Sequence, residues 1–395
     1  MDDPRDLHEM TGSPEIAEIA GTGSKTLNRL LIQVVPQLKP ARCGVSDHAI
    51  ALAQELESTC GIQSAFVVVN SNERNDVSYP VAFCAPERLL ESCTSLGSGG
   101  PAAILLHLSG YGYSPDGAPA ELAEAVAGIR ADGRFRVAVF CHELFAGGMP
   151  WTSAFWFSHR QQKAVRKIVE QSELILTNTQ DSFAWLNRVP VLRQGASVDF
   201  LPVFSTIGEA RRRTPLAERR RDLAVFGLPG SRQRAFQALA RLAATLKELR
   251  VEAIVDIGTE FDGPAEIAGI PIRRTGLLDA ADLAAELSKT MFGFLSLPWK
   301  CLTKSSIFAA YCAQGTIPLL NNPLPAVVDG LEDGIHVLSP KTAAAVLSEG
   351  LERCSIEVWR WYAGHGLHAH ATVYAHWLAQ PQPEFTASGT VSSAR

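Results

Sequence analysis

Short continuous apolar runs recur along the chain, each closed by a polar or glycine-bearing turn. The first is Arg29-Leu30-Leu31-Ile32-Gln33-Val34-Val35, ended by Pro36. A run without polar alternation suits a strand covered on both faces. Further runs lie at Ser64 to Val69, Ala103 to Leu108, Arg136 to Cys141 and Leu174 to Asn178. Amphipathic stretches over 49–57, 120–130 and 161–171 fall between them and read as helices. This alternation predicts a doubly wound parallel sheet. A second series follows, with strands at Leu223 to Phe226, Val251 to Ile257, Ile270 to Arg274 and Met291 to Leu297, and helices over 235–249, 282–288 and 342–351. Between the two series, Leu201 to Arg221 holds Pro202, Pro215 and two triple-arginine runs, Arg211 to Arg213 and Arg219 to Arg221. That segment reads as a linker. The expected organisation is therefore an N-terminal tail over 1–26, a first α/β domain over 27–200, a linker over 201–221 and a second α/β domain over 222–352. A helical segment over 353–379 bridges the two, and a tail occupies 380–395.

The most informative stretch runs from Leu302 to Leu320. It follows the apolar run Met291 to Leu297 and places a helix, with Thr303 as its expected N-cap and Gly315 at its stop, directly before a buried strand, Ile317 to Leu320. The loop after a parallel strand is where open α/β sheets bind ligands. Lys304, Ser305 and Ser306 stand there at a helix start, where free amides and the helix dipole favour an anion. A cation and two hydroxyls suit a phosphate. The plainer reading is that the serines only cap the helix and Lys304 is solvated. In the loop after Phe226, Gly227 gives backbone room and Arg232 adds a cation, which suits a diphosphate. That loop is neither a GxGxxG nor a Walker A sequence, so nucleotide hydrolysis and redox chemistry have no motif support.

The first series carries polar and glycine residues at successive strand ends. Gly44 and Asp47 follow the first strand, His107 and Tyr111 the third, His142 and Glu143 the fourth, and Asn178 ends the fifth. Such residues line one crevice in a parallel sheet. A single histidine of this kind usually reads as a hydrogen-bonded core residue. Two at one sheet edge favour a site.

Composition narrows the classes. With 395 residues, 46% hydrophobic and 19% charged, the chain can bury two cores, and a net charge of −5 gives no nucleic-acid signature. Eight cysteines without CxxC spacing read as reduced residues of a cytoplasmic protein. No apolar run is long enough to span a membrane. The two arginine runs suit a solvated linker face or peripheral contact with an anionic surface at the inner membrane face. His365, His368, His370 and His376 invite a metal, but only His365 and His368 have i,i+3 spacing, and Gly364 and Gly366 interrupt that turn. A bridging helix is the expectation there, and no metal or other cofactor is assigned.

Two Rossmann-like domains, a linker and a returning C-terminal helix resemble the GT-B fold of nucleotide-sugar glycosyltransferases. Arg42-Cys43-Gly44-Val45-Ser46-Asp47 is similar to the N-terminal glycine loop of the glycosyl transferase group 1 (GT4-like) family. Phe140-Cys141-His142-Glu143, followed by Trp151 to Trp156 and Leu174 to Asn178, looks like the middle of that N-terminal domain. Phe226-Gly227 with Arg232 resembles the donor-phosphate loop. Ala313 to Pro318 resembles the family's helix-to-strand turn, and Asp329-Gly330 through Val337 the turn and strand after it. The likeness covers roughly Leu30 to Leu378. The family's paired glutamates fall at Leu302 and Ala310, so the sugar and ribose contacts differ from the family's or are lost.

The resemblance implies transfer of a sugar from a nucleotide-diphosphate sugar to the hydroxyl of a glycan or lipid-linked acceptor, without a metal, in polysaccharide assembly. Gly227, Arg232, Lys304, Ser305 and Ser306 would hold the donor. Gly44, His107 and Tyr111 would face the acceptor, and His142, Asp47 or Glu143 would serve as base if the reaction inverts. The alternative is a catalytically inactive GT-B scaffold that binds a nucleotide, glycan or partner protein.

Overall fold

The computed structural model describes residues 29–38, 43–69, 71, 76–97, 102–146, 153–190, 192, 195–346 and 348–381. The expected N-terminal tail, most of the C-terminal one, Arg42 and Trp151 lie outside these residues.

The first sheet contains β1 (Leu30–Val35), β2 (Gln63–Val69), β3 (Val81–Cys84), β4 (Ala102–Ser109), β5 (Arg136–Glu143), β6 (Leu174–Thr177) and β7 (Ser197–Phe200). All are parallel, in the order β3-β2-β1-β4-β5-β6-β7. The order reverses beside β1, so the loops after β1 and β4 diverge and open the crevice that such sheets use. Its central strands are buried on both faces, which is why they read as unbroken apolar runs. The edge strands β3 and β7 are four residues each, part-buried or exposed throughout, and carry no such run.

The second sheet contains β8 (Arg220–Phe226), β9 (Ile254–Ile257), β10 (Glu266–Ile267), β11 (Ile270–Gly276), β12 (Thr290–Leu295) and β13 (Ile317–Leu320), ordered β10-β11-β9-β8-β12-β13. It is parallel except for the β10–β11 edge. The expected helix over 235–249 is two helices, Pro229–Leu239 and Ala243–Glu248. The helix expected at 342–351 is a short turn, Pro340–Ala343, and then the start of Ser348–Ala363. Gly293 on β12 is a packing requirement: a Cβ there would lie 2.5 Å from the ring of Tyr311, which is fully buried and donates to the Ala224 carbonyl at 2.9 Å.

The arginine-rich crossover is not a solvated face. Arg219 is buried and donates to the carbonyls of Thr214, Thr290 and Gln314 at 2.9, 3.2 and 2.7 Å. Burial lowers its pKa to about 10. Arg213 pairs with Glu352 and donates to Ser355 Oγ at 3.1 Å. Arg220 and Arg221 already belong to β8, the former paired with Asp222 and Glu286. Arg211 and Arg212 remain exposed. The runs therefore pin the crossover to the second domain, which leaves little of them for a membrane.

The helix Leu367–Ala379 returns to the first domain and packs on the helix Gly44–Cys60. Arg136 of β5 fixes its end by donating to the carbonyls of Trp377 and Gln380 at 2.7 and 2.9 Å. Among the described residues, no helix is long and apolar enough to cross a membrane.

Candidate functional site

The C-terminal edges of the two sheets face each other across a cavity of about 220 Å³. One wall comes from the first domain: Gly44 and His48 from the helix after β1, Ser109 from the end of β4, His142 and Glu143 from the end of β5, and Asn178 after β6. The other comes from Lys304 and Ser306, with the crossover residues Val203, Phe204 and Thr206 at the base.

On the second-domain wall, Ser305 is the N-cap of the helix Ser306–Ala313 and accepts from the Phe308 amide at 3.2 Å. Thr303, expected in that role, instead donates to Asp329 at 2.7 Å, and its carbonyl accepts from the Val203 amide at 2.9 Å. The other Asp329 oxygen accepts from the Gln180 amide of the first domain at 2.8 Å. Asp329 thus ties both domains to the loop that sets the helix start. Lys304, immediately before the cap, reaches across the cleft to Glu143 at 2.9 Å. Both partners are partly exposed, as are those of a second cross-cleft pair, Lys300 with Asp181 at 3.0 Å.

Apart from Glu143 at its rim, the first-domain wall is built of buried histidines. His142 Nε2 and His107 Nδ1 lie 3.2 Å apart, and His107 Nε2 is 2.8 Å from Gln33 Oε1. His48 stacks on Phe204 with ring centroids 4.1 Å apart. Burial is the main cause of depressed basicity in all three, followed by the neighbouring histidines; His142 is lowered to about 3. Asn178 donates to the His142 carbonyl at 3.2 Å and holds the strand end.

No family model matches the chain, and a search of curated proteins found no match. Solved structures do match over nearly the whole length. An alpha-glucosyltransferase in complex with UDP and a 13-mer DNA containing an HMU base aligns with a TM-score of 0.57 at 10% identity, covering 89% of this chain and 98% of that one. The alpha,alpha-trehalose-phosphate synthase (UDP-forming) from Burkholderia xenovorans aligns with a TM-score of 0.56 at 12% identity, covering 89% and 100%. Anabaena HepE in complex with UDP and glucose aligns with a TM-score of 0.56 at 10% identity, covering 90% and 100%. This chain has the GT-B fold.

Of the residues singled out from sequence, Gly44, His142, Glu143, Lys304 and Ser306 line the GT-B cleft together. Ser305 acts behind them as the cap. Asp47 is half-buried on the same helix as Gly44 but does not line the cavity. His107 is fully buried behind His142, so it supports the wall and does not present a surface to an acceptor. Tyr111 is 51% exposed and accepts from Gln161 at 3.2 Å, outside the cavity.

Arg232 is the clearest correction. It is only 1% exposed, pairs with Asp256 at 2.5 Å, donates to the Gly227 carbonyl at 3.1 Å and to the Thr259 carbonyl, and lies over the Phe261 ring at 4.6 Å. Its charge is consumed inside the second domain. Gly227, at φ 131°, sits where a Cβ would be 3.0 Å from Ile307, so its role is close passage beside the cleft helix. His48 was overlooked, because it lies one turn into a helix and not at a strand end. The C-terminal histidines do not converge with one another: His368 meets Glu55, His370 Nε2 donates to the Pro202 carbonyl at 2.9 Å with its ring edge-on to His48, and His376 is exposed.

Proposed function

We propose that the chain transfers a sugar from a nucleotide-diphosphate donor to an acceptor hydroxyl. The observation that carries this reading is the joint placement of Lys304 and the N-terminus of the helix Ser306–Ala313 at the interdomain cleft of a GT-B fold. A helix start and an adjacent ammonium favour a diphosphate. They would stabilise the leaving group as charge develops on it, with no metal on the diphosphate. The neighbours solved with UDP support the class of donor. The acceptor, a glycan or lipid-linked hydroxyl compound by the family likeness, would enter along Gly44, Ser109 and Asn178. A base works best with a pKa near the working pH. Burial lowers His142 to about 3 and makes it a weak base, so Glu143, the carboxylate that lines the cavity, is the first candidate for an inverting course, ahead of Asp47 on the neighbouring helix.

Donor binding is tested by calorimetric titration of UDP, GDP, ADP and dTDP into wild type and Lys304→Ala. One diphosphate should bind, and the variant should bind it at least ten-fold more weakly. The absence of binding by all four sinks the donor assignment. Leu302 and Ala310, which replace the family's paired glutamates, are both buried in the apolar core, and this favours a second reading, an inactive scaffold. Release of the matching diphosphate from its sugar nucleotide separates the two: a scaffold binds without turnover.

A further inference from the structure

His48, His107 and His142 come from three elements: the helix after β1, the middle of β4 and the end of β5. One ligating nitrogen from each lies within 4.8 Å of the others. We propose that these imidazoles form a binding site for a divalent transition-metal ion of the zinc class, on the first-domain wall of the cleft.

Geometry is the first support. Zinc–imidazole bonds of about 2.0–2.1 Å at a tetrahedral angle separate two nitrogens by roughly 3.3 Å. His107 Nδ1 and His142 Nε2 stand 3.2 Å apart. His48 supplies the third nitrogen, within 4.8 Å of the other two, and its ring would have to close by up to about 1.5 Å on binding. The second support is an unmet demand. His48 Nε2 is buried without a hydrogen-bond partner, and a buried polar nitrogen left so is costly. Packing of His48 among Phe140 and Phe204 accounts for its ring but not for that nitrogen.

The surroundings also suit ligation. Gln33 Oε1 accepts from His107 Nε2 at 2.8 Å, which leaves Nδ1 with a lone pair directed toward His142. Gln33 is held in turn by donating to Ser64 Oγ at 3.3 Å. An outer acceptor that fixes the ring and tautomer of a ligating histidine is a common feature of metal sites. Imidazole binds metal in its neutral form. On binding, His142 would hold its proton on Nδ1 and stop donating to His107. Imidazole ligands favour zinc, copper, nickel or iron over magnesium or calcium. Because His48 and His142 both border the cavity, the fourth position opens to the cleft and would take water or another oxygen ligand.

The test uses the full-length protein, purified without a metal-affinity step, stripped with a chelator and titrated with Zn²⁺ and with Co²⁺. One ion per chain by elemental analysis, and the intense visible bands of low-coordinate Co²⁺, are expected. His48→Phe, which suits the aromatic surroundings, and His142→Gln should each weaken binding by at least 100-fold. Gln33→Leu should weaken it by ~10–100-fold. Circular dichroism and melting show whether each variant is folded. Stoichiometric binding that the folded His48→Phe and His142→Gln variants retain would overturn the assignment, as would a wild type that takes up neither ion. Lys304→Ala should keep the cobalt bands, so failure of the donor reading and failure of the metal site are seen in separate experiments.

Discussion

The two walls of the cleft use opposite chemistry. Behind the rim carboxylate Glu143, the first-domain wall is built from buried histidines held by each other and by Gln33. The second-domain wall presents one partly exposed ammonium, Lys304, before a capped helix start. A buried wall restricts its side chains to small movements and suppresses their basicity. An exposed cation keeps its charge for a ligand, since a surface pair is worth little to stability. The contrast assigns folding cost to one side and ligand charge to the other, and it can be tested at both.

The largest effect is expected at Arg232. Replacing it with Ala removes the closer partner of the buried Asp256 and leaves that carboxylate only the longer 3.6 Å pair with the half-exposed Arg274. Breaking a buried pair costs about 3–5 kcal/mol. Urea unfolding should show that loss, while diphosphate affinity of the folded fraction stays close to wild type. Unchanged stability with lost diphosphate binding would move Arg232 back into the cleft and dissolve the contrast.

The suppressed basicity extends to His365, in the turn before the returning helix, where burial lowers its pKa from 6.5 to about 3. The unfolded chain therefore takes up this proton first as pH falls. The stabilising contribution is complete above about pH 6.5 and is lost progressively below it. At pH 5 the loss from this residue is about 2 kcal/mol. His365→Leu should accordingly lose less stability between pH 7 and pH 5 than wild type does, by about that amount. Equal losses in the two proteins would mean that His365 is accessible to protons in the folded chain.

Lys304→Ala should behave in the opposite way to Arg232→Ala. Its pair with Glu143 is partly exposed on both sides, so unfolding free energy should change by less than about 1 kcal/mol. The ten-fold loss of diphosphate affinity expected above corresponds to about 1.4 kcal/mol of binding. A large stability loss without a binding loss would identify Lys304 as a domain latch only.

How much of this was legible in the sequence follows from the same physics. β1, β4 and β5 are covered on both faces, and their apolar runs mark them directly. β3 and β7 are edges of four residues each, part-buried or exposed throughout, and such short stretches carry little signal. The helix start at Lys304-Ser305-Ser306 was readable because capping is local, although the cap moved from Thr303 to Ser305 when Asp329, distant in sequence, claimed the Thr303 hydroxyl. Arg232 was misplaced for a similar reason. Its charge is visible in the chain, but Asp256 comes from the next strand and Phe261 from the loop after it. His48 was missed because its partners, His107 and His142, meet it only once β1, β4 and β5 lie side by side.

The smallest expected change in affinity is the most discriminating. In the structure Glu143 occupies Lys304 at 2.9 Å, in the place where a donor phosphate would bind. Glu143→Gln removes that competitor without changing the size of the side chain. An exposed pair contributes up to ~1 kcal/mol, so diphosphate affinity should rise by up to about five-fold in calorimetry. Sugar transfer responds separately. If Glu143 is the base, turnover of the sugar nucleotide should fall by about 10²–10⁴-fold even as the diphosphate binds more tightly. If turnover follows affinity upward, Glu143 is only the resting partner of Lys304 and is not the base. A fall in diphosphate affinity would instead place Glu143 in contact with the donor, and the charged function assigned to the second-domain wall would then belong to both.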